Sequence, residues 1–151
     1  MQDKTRPRVL CVEDDEDSRE MLTVLLGLEE IETETVASAT QALSAMRAEH
    51  FDLYLLDSRL PEIDGLELCG RIRAIDRSAP ILFFSGAARE TDRKRAIDAG
   101  ATAYIVKPDI NSLISTVTQF VKHAAKPTAR VIPFVRRNTL QPSFMDGPRA
   151  A

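Results

Sequence analysis

The sequence predicts an α/β fold, a five-stranded parallel sheet with helices on both faces, and three observations carry that prediction. Five short apolar runs alternate with longer segments of helical periodicity along the chain. Such alternation builds a parallel sheet wrapped by helices through right-handed crossovers. The third run, Leu53–Leu56, is apolar at every position, as suits a strand buried on both faces. Asp57 follows it directly, and an acid at the carboxyl end of a buried strand lies where open α/β sheets bind ligands.

Each element has its own signal. Arg8-Val9-Leu10-Cys11-Val12 reads as the first strand and runs into Glu13-Asp14-Asp15. Met21, Leu22, Leu25 and Leu26 recur at helical spacing over residues 16–28, with acids at the start where the helix dipole favours them. Ile31–Val36 is a second, weaker strand, and Ser38 can cap a helix whose Ala42, Leu43 and Met46 share a face. The third strand covers Phe51–Leu56. Pro61 and Asp64-Gly65 then turn the chain, and Asp64 with Glu67 can cap a helix that buries Leu68, Cys69, Ile72 and Ile75. Pro80–Phe84 is the fourth strand and ends at Ser85-Gly86. The segment 89–98 is highly charged, with only Ala96 and Ile97 as apolar support, which predicts a short, exposed, comparatively mobile fourth helix ended by Gly100. Ala103–Val106 is the fifth strand, followed by Lys107-Pro108. A fifth helix carries Ile110, Leu113, Ile114, Val117, Phe120 and Val121 on one stripe, with Asp109 as its cap.

A chain of 151 residues with 44% hydrophobic and 28% charged residues is large enough for one domain with a proper core. No apolar run reaches the roughly 20 residues of a membrane helix, and the amino terminus does not read as a signal peptide. Cys11 and Cys69 fall inside apolar patterns without metal spacing, so buried free thiols and a cytoplasmic location are expected. The net charge of −3 hides an asymmetry: residues 125–151 hold five basic side chains against one acid, leaving −7 on the remainder. That acidic body argues against direct DNA binding.

With the strands parallel, their carboxyl ends bring together Glu13 and Asp14, Asp57, Ser85 and Lys107. Carboxylates crowded in one crevice repel each other until a proton or a cation neutralises them. The ligands on offer are hard oxygens, which suit Mg²⁺ rather than zinc. A cation there would offset the charge of an incoming phosphoryl group, Lys107 could bind one of its oxygens, and Ser85 could hydrogen-bond another. Asp57 would then be free to attack phosphorus.

The sequence resembles the receiver domain of two-component response regulators. Four motifs carry the resemblance over about residues 8–124: Val12-Glu13-Asp14-Asp15, Leu56 through Gly65 around Asp57, Phe84-Ser85-Gly86, and Ala103-Tyr104-Ile105-Val106-Lys107-Pro108. The resemblance implies the (βα)5 flavodoxin-like receiver fold and Mg²⁺-dependent transfer of a phosphoryl group to Asp57 from a histidine kinase or histidine phosphotransfer protein. It implies Asp14 as a direct metal ligand, Glu13 acting through water, and the main-chain carbonyl of Arg59 as a further ligand. Ser85 and Tyr104 would be the switch pair, and Lys107 would pair with the phosphoryl group. Three positions depart from the family pattern: Ser85 stands where threonine is common, Arg59 is a long cation two residues past Asp57, and Asp109 replaces an apolar residue.

The expected organisation is an extension at 1–7, a receiver domain at 8–124 and a basic, proline-containing tail at 125–151, either disordered or a docking segment. The tail is too short for a helix-turn-helix or catalytic module. The expectation is therefore a single-domain regulator that acts on no separate metabolite. Its fourth helix, fifth strand and fifth helix (α4-β5-α5) would control contact with a downstream protein target or a homodimer. The competing expectation is a receiver-like scaffold or dimerisation module that works without phosphorylation. Flavin binding is disfavoured because Glu13-Asp14-Asp15 would repel a phosphate. A dehalogenase-type phosphatase is disfavoured because Arg59 stands where that chemistry needs an aspartate.

Overall fold

The computed structural model describes residues 6–125, with side chains described up to Lys122. The extension at 1–7 and the basic tail at 125–151 therefore lie almost wholly outside the described residues. The ten elements alternate strand and helix: β1 (Arg8–Val12), α1 (Glu16–Gly27), β2 (Glu32–Val36), α2 (Ala39–Ala48), β3 (Leu53–Leu56), α3 (Gly65–Ile75), β4 (Ile81–Ser85), α4 (Glu90–Ala99), β5 (Ala103–Val106) and α5 (Ile110–Ala125). The strands form one sheet in the order β2-β1-β3-β4-β5, and every pairing is parallel.

The period of two along each strand divides the interior into two cores. Leu10, Val12, Tyr54, Leu56, Ile81 and Phe83 face one side, where Ala39 and Ala42 of α2, Leu68, Cys69 and Ile72 of α3, and Ala96 of α4 cover them. Val9, Cys11, Leu53, Leu55, Leu82 and Phe84 face the other, under Leu22 and Leu26 of α1 and Leu113, Val117 and Val121 of α5. All six apolar stripe positions foreseen in α5 pack there, with Ile110, Ile114 and Phe120 partly buried. Both cysteines are free and buried, and burial pushes the Cys11 thiol up to about 12 and Cys69 to about 11.

Helix starts follow the sequence signals. Asp15, Ser38 and Asp64 accept from the backbone N–H of Ser18, Gln41 and Glu67, three residues on in each case. Asp109 accepts from the N–H of Ser112 at 3.0 Å and from its hydroxyl at 2.7 Å. Gly100 ends α4 with φ 118°, a left-handed conformation that glycine adopts without penalty.

Several details differ from the expectation. Ile75 is 61% exposed rather than buried, because it is the last residue of α3 and the chain departs before its face meets the sheet. Glu67 does not complete a capping box among the bonds observed; its carboxylate pairs with Arg71 at 2.6 Å. Strands β2 and β3 begin at Glu32 and Leu53, although Ile31 and Phe51 are buried ahead of them. Strand β4 begins at Ile81, since Pro80 has no N–H to give the ladder, and extends through Ser85. Ile97 is 40% exposed, which leaves Ala96 as the buried anchor of α4.

Candidate functional site

The sheet order explains why one edge gathers the polar residues. The chain leaves β1 toward β2 on one side and returns to β3 on the other, so a crevice opens between the carboxyl ends of β1 and β3. Glu13 and Asp14 follow β1, Asp57 follows β3, Ser85 closes β4 and Lys107 follows β5. One carboxylate oxygen from each of Glu13, Asp14 and Asp57 lies within 4.8 Å of the others. Lys107 reaches across from the edge strand: its Nζ donates to Glu13 Oε1 at 2.8 Å and to Asp57 Oδ2 at 3.1 Å. The ammonium also lies 5.7 Å from the centre of the Phe84 ring.

Glu13 is the most buried of the three acids, and Asp14 is exposed. Burial pushes the Glu13 carboxyl above the ordinary glutamate value; the hydrogen bond from Lys107 opposes the shift without cancelling it, and nearby Asp57 reinforces it. Burial works against the Lys107 charge too. There the hydrogen bonds to Glu13 and Asp57 outweigh it and hold the ammonium above its ordinary value. Arg19 of α1 fixes the β1–α1 loop by donating to the main-chain oxygen of Glu13 at 2.8 Å.

Three carboxylates against one ammonium leave an excess of two negative charges. A hard divalent cation fits that charge and donor set. Arg59 has an exposed side chain, and its backbone N–H donates to Asp57 Oδ1 at 3.3 Å, so the loop residue lies directly beside the carboxylate.

The hydroxyl side of the site holds more than the sequence suggested. Ser85 is only 1% exposed, and its Oγ lies 2.5 Å from Ser58 Oγ. It also accepts from the N–H of Ala87 at 3.1 Å. The Ala87 carbonyl in turn accepts from the Tyr104 hydroxyl at 2.6 Å, while the Tyr104 ring stacks on Phe83 with centroids 5.7 Å apart. Ser85 and Tyr104 are thus joined through Ala87 of the β4–α4 loop. Gly65 donates its N–H to the Ser58 carbonyl at 2.9 Å, and a Cβ there would fall 2.1 Å from the Asp57 main-chain oxygen.

Glu13, Asp14, Asp57, Ser85 and Lys107 gather at this edge with Arg59 beside Asp57, while Tyr104 lies within β5 and reaches the edge through its hydroxyl on Ala87. Ser58 has no role in the sequence reading, and Gly65 has only that of turning the chain. Ser58 meets Ser85 through the adjacency of β3 and β4, and Gly65 meets Asp57 and Ser58 through the close path of the β3–α3 loop, neither of which apolar periodicity reveals.

Comparison with known proteins bears on this geometry. The sequence model described as response regulator receiver domain matches residues 9–118. The chain is 39% identical over 106 residues to the "DNA-binding response regulator MtrA" of Mycobacterium tuberculosis, a match covering 70% of this chain and 46% of that protein. It is 35% identical over 123 residues to a 14.6 kDa protein of Leptolyngbya boryana, covering 80% of this chain and 94% of that one. The chain thus spans about half the length of the MtrA relatives it matches. Among solved structures, a CheY-like response regulator receiver domain protein from Methanospirillum hungatei superimposes with a TM-score of 0.74 at 27% identity, covering 80% of this chain and 97% of that one. Chemotaxis response regulator CheY4 of Vibrio cholerae superimposes with a TM-score of 0.71 at 27% identity, covering 78% and 99%.

Proposed function

This chain belongs to the response regulator receiver domain family, and we propose that Asp57 accepts a phosphoryl group from the phosphohistidine of a histidine kinase or histidine phosphotransfer protein, in a Mg²⁺-dependent reaction. The observation that carries this reading is the Lys107 ammonium bonded to both Glu13 and Asp57, with the Asp14 carboxylate beside them. Glu13, Asp14, Asp57 and the main-chain carbonyl of Arg59 are the groups that would hold Mg²⁺. When bound, the ion supplies positive charge that offsets the phosphoryl oxygens.

An Asp57 carboxylate oxygen forms the bond to phosphorus while the bond from phosphorus to the donor imidazole nitrogen breaks, and the imidazole leaves with that electron pair. Lys107 takes one phosphoryl oxygen, and Ser85 hydrogen-bonds another through its hydroxyl. The new group adds nearly two negative charges at the end of β3. Ser85 moves toward it, and Tyr104 turns inward behind Ser85. The surface formed by α4, β5 and α5 changes with them and controls contact with a downstream protein target. Dimerisation through the same surface is one form that contact can take. No helix among the described residues is long and apolar enough to cross a membrane, and the proposed chemistry belongs in the cytoplasm.

The test is intact mass after incubation with acetyl phosphate and Mg²⁺, beside an Asp57→Asn variant and a chelated sample. The expected result is a gain of one phosphoryl group in the native chain alone. Equal gain in Asp57→Asn would reassign the acceptor. No gain, together with no spectral response to beryllofluoride, would favour a scaffold that works without phosphorylation.

A further inference from the structure

If Asp57 is the phosphoacceptor, the reading on which this inference rests, the hydrogen bond between Ser58 and Ser85 bears on how the site switches. Ser85 is buried and has a single hydroxyl proton. Its oxygen already accepts from the Ala87 N–H, and its remaining close polar neighbour is Ser58 Oγ at 2.5 Å. Either hydroxyl of the pair could be the donor; with Ser85 as the donor, its one proton must leave Ser58 before it can serve a phosphoryl oxygen. We propose that Ser58 is a positioning residue that competes with the phosphoryl group for the Ser85 hydroxyl, and so sets how readily the domain leaves its resting state.

Three features support a built contact rather than a chance approach of two hydroxyls. Ser58 is held by its backbone: its carbonyl accepts from Gly65 N–H at 2.9 Å, and a Cβ on Gly65 would fall 2.8 Å from the Ser58 Cα. The partner is equally fixed, because Ser85 ends β4 and the strand pairs with β3 on one side and β5 on the other. The contact also continues outward, since Ala87, whose N–H donates to Ser85, accepts from Tyr104 through its carbonyl. A change of partner at Ser85 is therefore felt at the aromatic ring two strands from Asp57.

The asymmetry of hydrogen-bond energetics gives the direction. With Ser85 as the donor of the pair, removing the Ser58 hydroxyl leaves that buried donor unpaired in the resting state and costs nothing comparable once Ser85 has turned to a phosphoryl oxygen. Ser58→Ala should therefore tighten binding of a phosphoryl mimic, by about threefold to tenfold for one neutral hydrogen bond. A merely structural role for Ser58 would weaken that binding or leave it unchanged.

The experiment titrates the full chain with beryllofluoride in the presence of Mg²⁺. The readout is tyrosine fluorescence, which is accessible because the chain has two tyrosines and no tryptophan. Ser58→Ala should bind more tightly than the native chain, and Ser58→Thr, which keeps a hydroxyl, should return to the native value. In a Ser85→Ala background the Ser58→Ala effect should vanish, since the two hydroxyls act as one unit. An unchanged or weakened Ser58→Ala variant, beside a native chain that binds, would overturn the proposal while leaving the phosphoacceptor reading intact. An effect that persisted without Ser85 would also overturn it. A native chain that fails to bind would remove the phosphoacceptor reading, and this proposal with it.

Discussion

A methyl group at Gly65 would press on the main-chain oxygen of Asp57 from 2.1 Å, a distance that only a shift of backbone can relieve. Space rather than backbone conformation sets this requirement. Gly65→Ala should destabilise the fold by about 1–3 kcal/mol in a denaturant melt, as overpacking does, and should also slow phosphoryl uptake because Asp57 itself must move. Gly70, exposed in the middle of α3 with nothing within 4 Å of its added Cβ, is the matched control. Gly70→Ala should stabilise by about 0.5–1 kcal/mol and leave uptake unchanged. The sequence singled out the acids and Lys107 because charged groups at strand ends are conspicuous. Gly65 showed only as a turn residue and Ser58 not at all, because their importance at the site lies in distances to neighbours, which residue type does not encode.

The helices owe their boundaries to short local signals, and these were largely legible. Asp15 and Asp109, both exposed, are held below the ordinary aspartate value of 3.8 by their hydrogen bonds from Ser18 and Ser112. A carboxyl depressed in the folded state adds stability above its unfolded pKa and loses it as pH falls through the lower, folded value. Asp109→Ala should therefore lower the melting temperature at pH 7, with a difference that fades as pH drops below about 4. A difference that stayed constant into acid would mean that the charge of this cap is immaterial. Element ends that depend on tertiary contact were less legible. Ile75 fits the apolar stripe of α3 by periodicity, yet the helix stops at that residue and its side chain faces solvent. Strand β2 carries Glu32 and Glu34 and was weak in sequence because it is an edge strand, partly exposed along its length.

At the scale of the whole molecule, the alternation of runs was enough to foresee a parallel sheet and a polar edge, but not the order of strands within it. That order decides which residues become neighbours. Lys107 meets Asp57 only because β5 lies one strand beyond β4, and Ser58 meets Ser85 only because β3 and β4 are adjacent. The same order also sets how independently each part of the molecule can open. Among the described residues, strand β3, which delivers Asp57, is laced to a neighbour on both sides, whereas β5 pairs with β4 alone. Withdrawing β3 means tearing two ladders in the middle of the sheet, while β5 can fray by breaking one. Native-state amide exchange should therefore be graded across the sheet, with the amide of Tyr104, which faces β4, exchanging through a smaller opening than those of Leu55 and Leu56. Equal protection at both places would mean that the sheet opens only as a unit. A graded pattern would mean that the acceptor is anchored in the part of the molecule that opens last, and its reporter ring in a part that can rearrange while the rest stays folded.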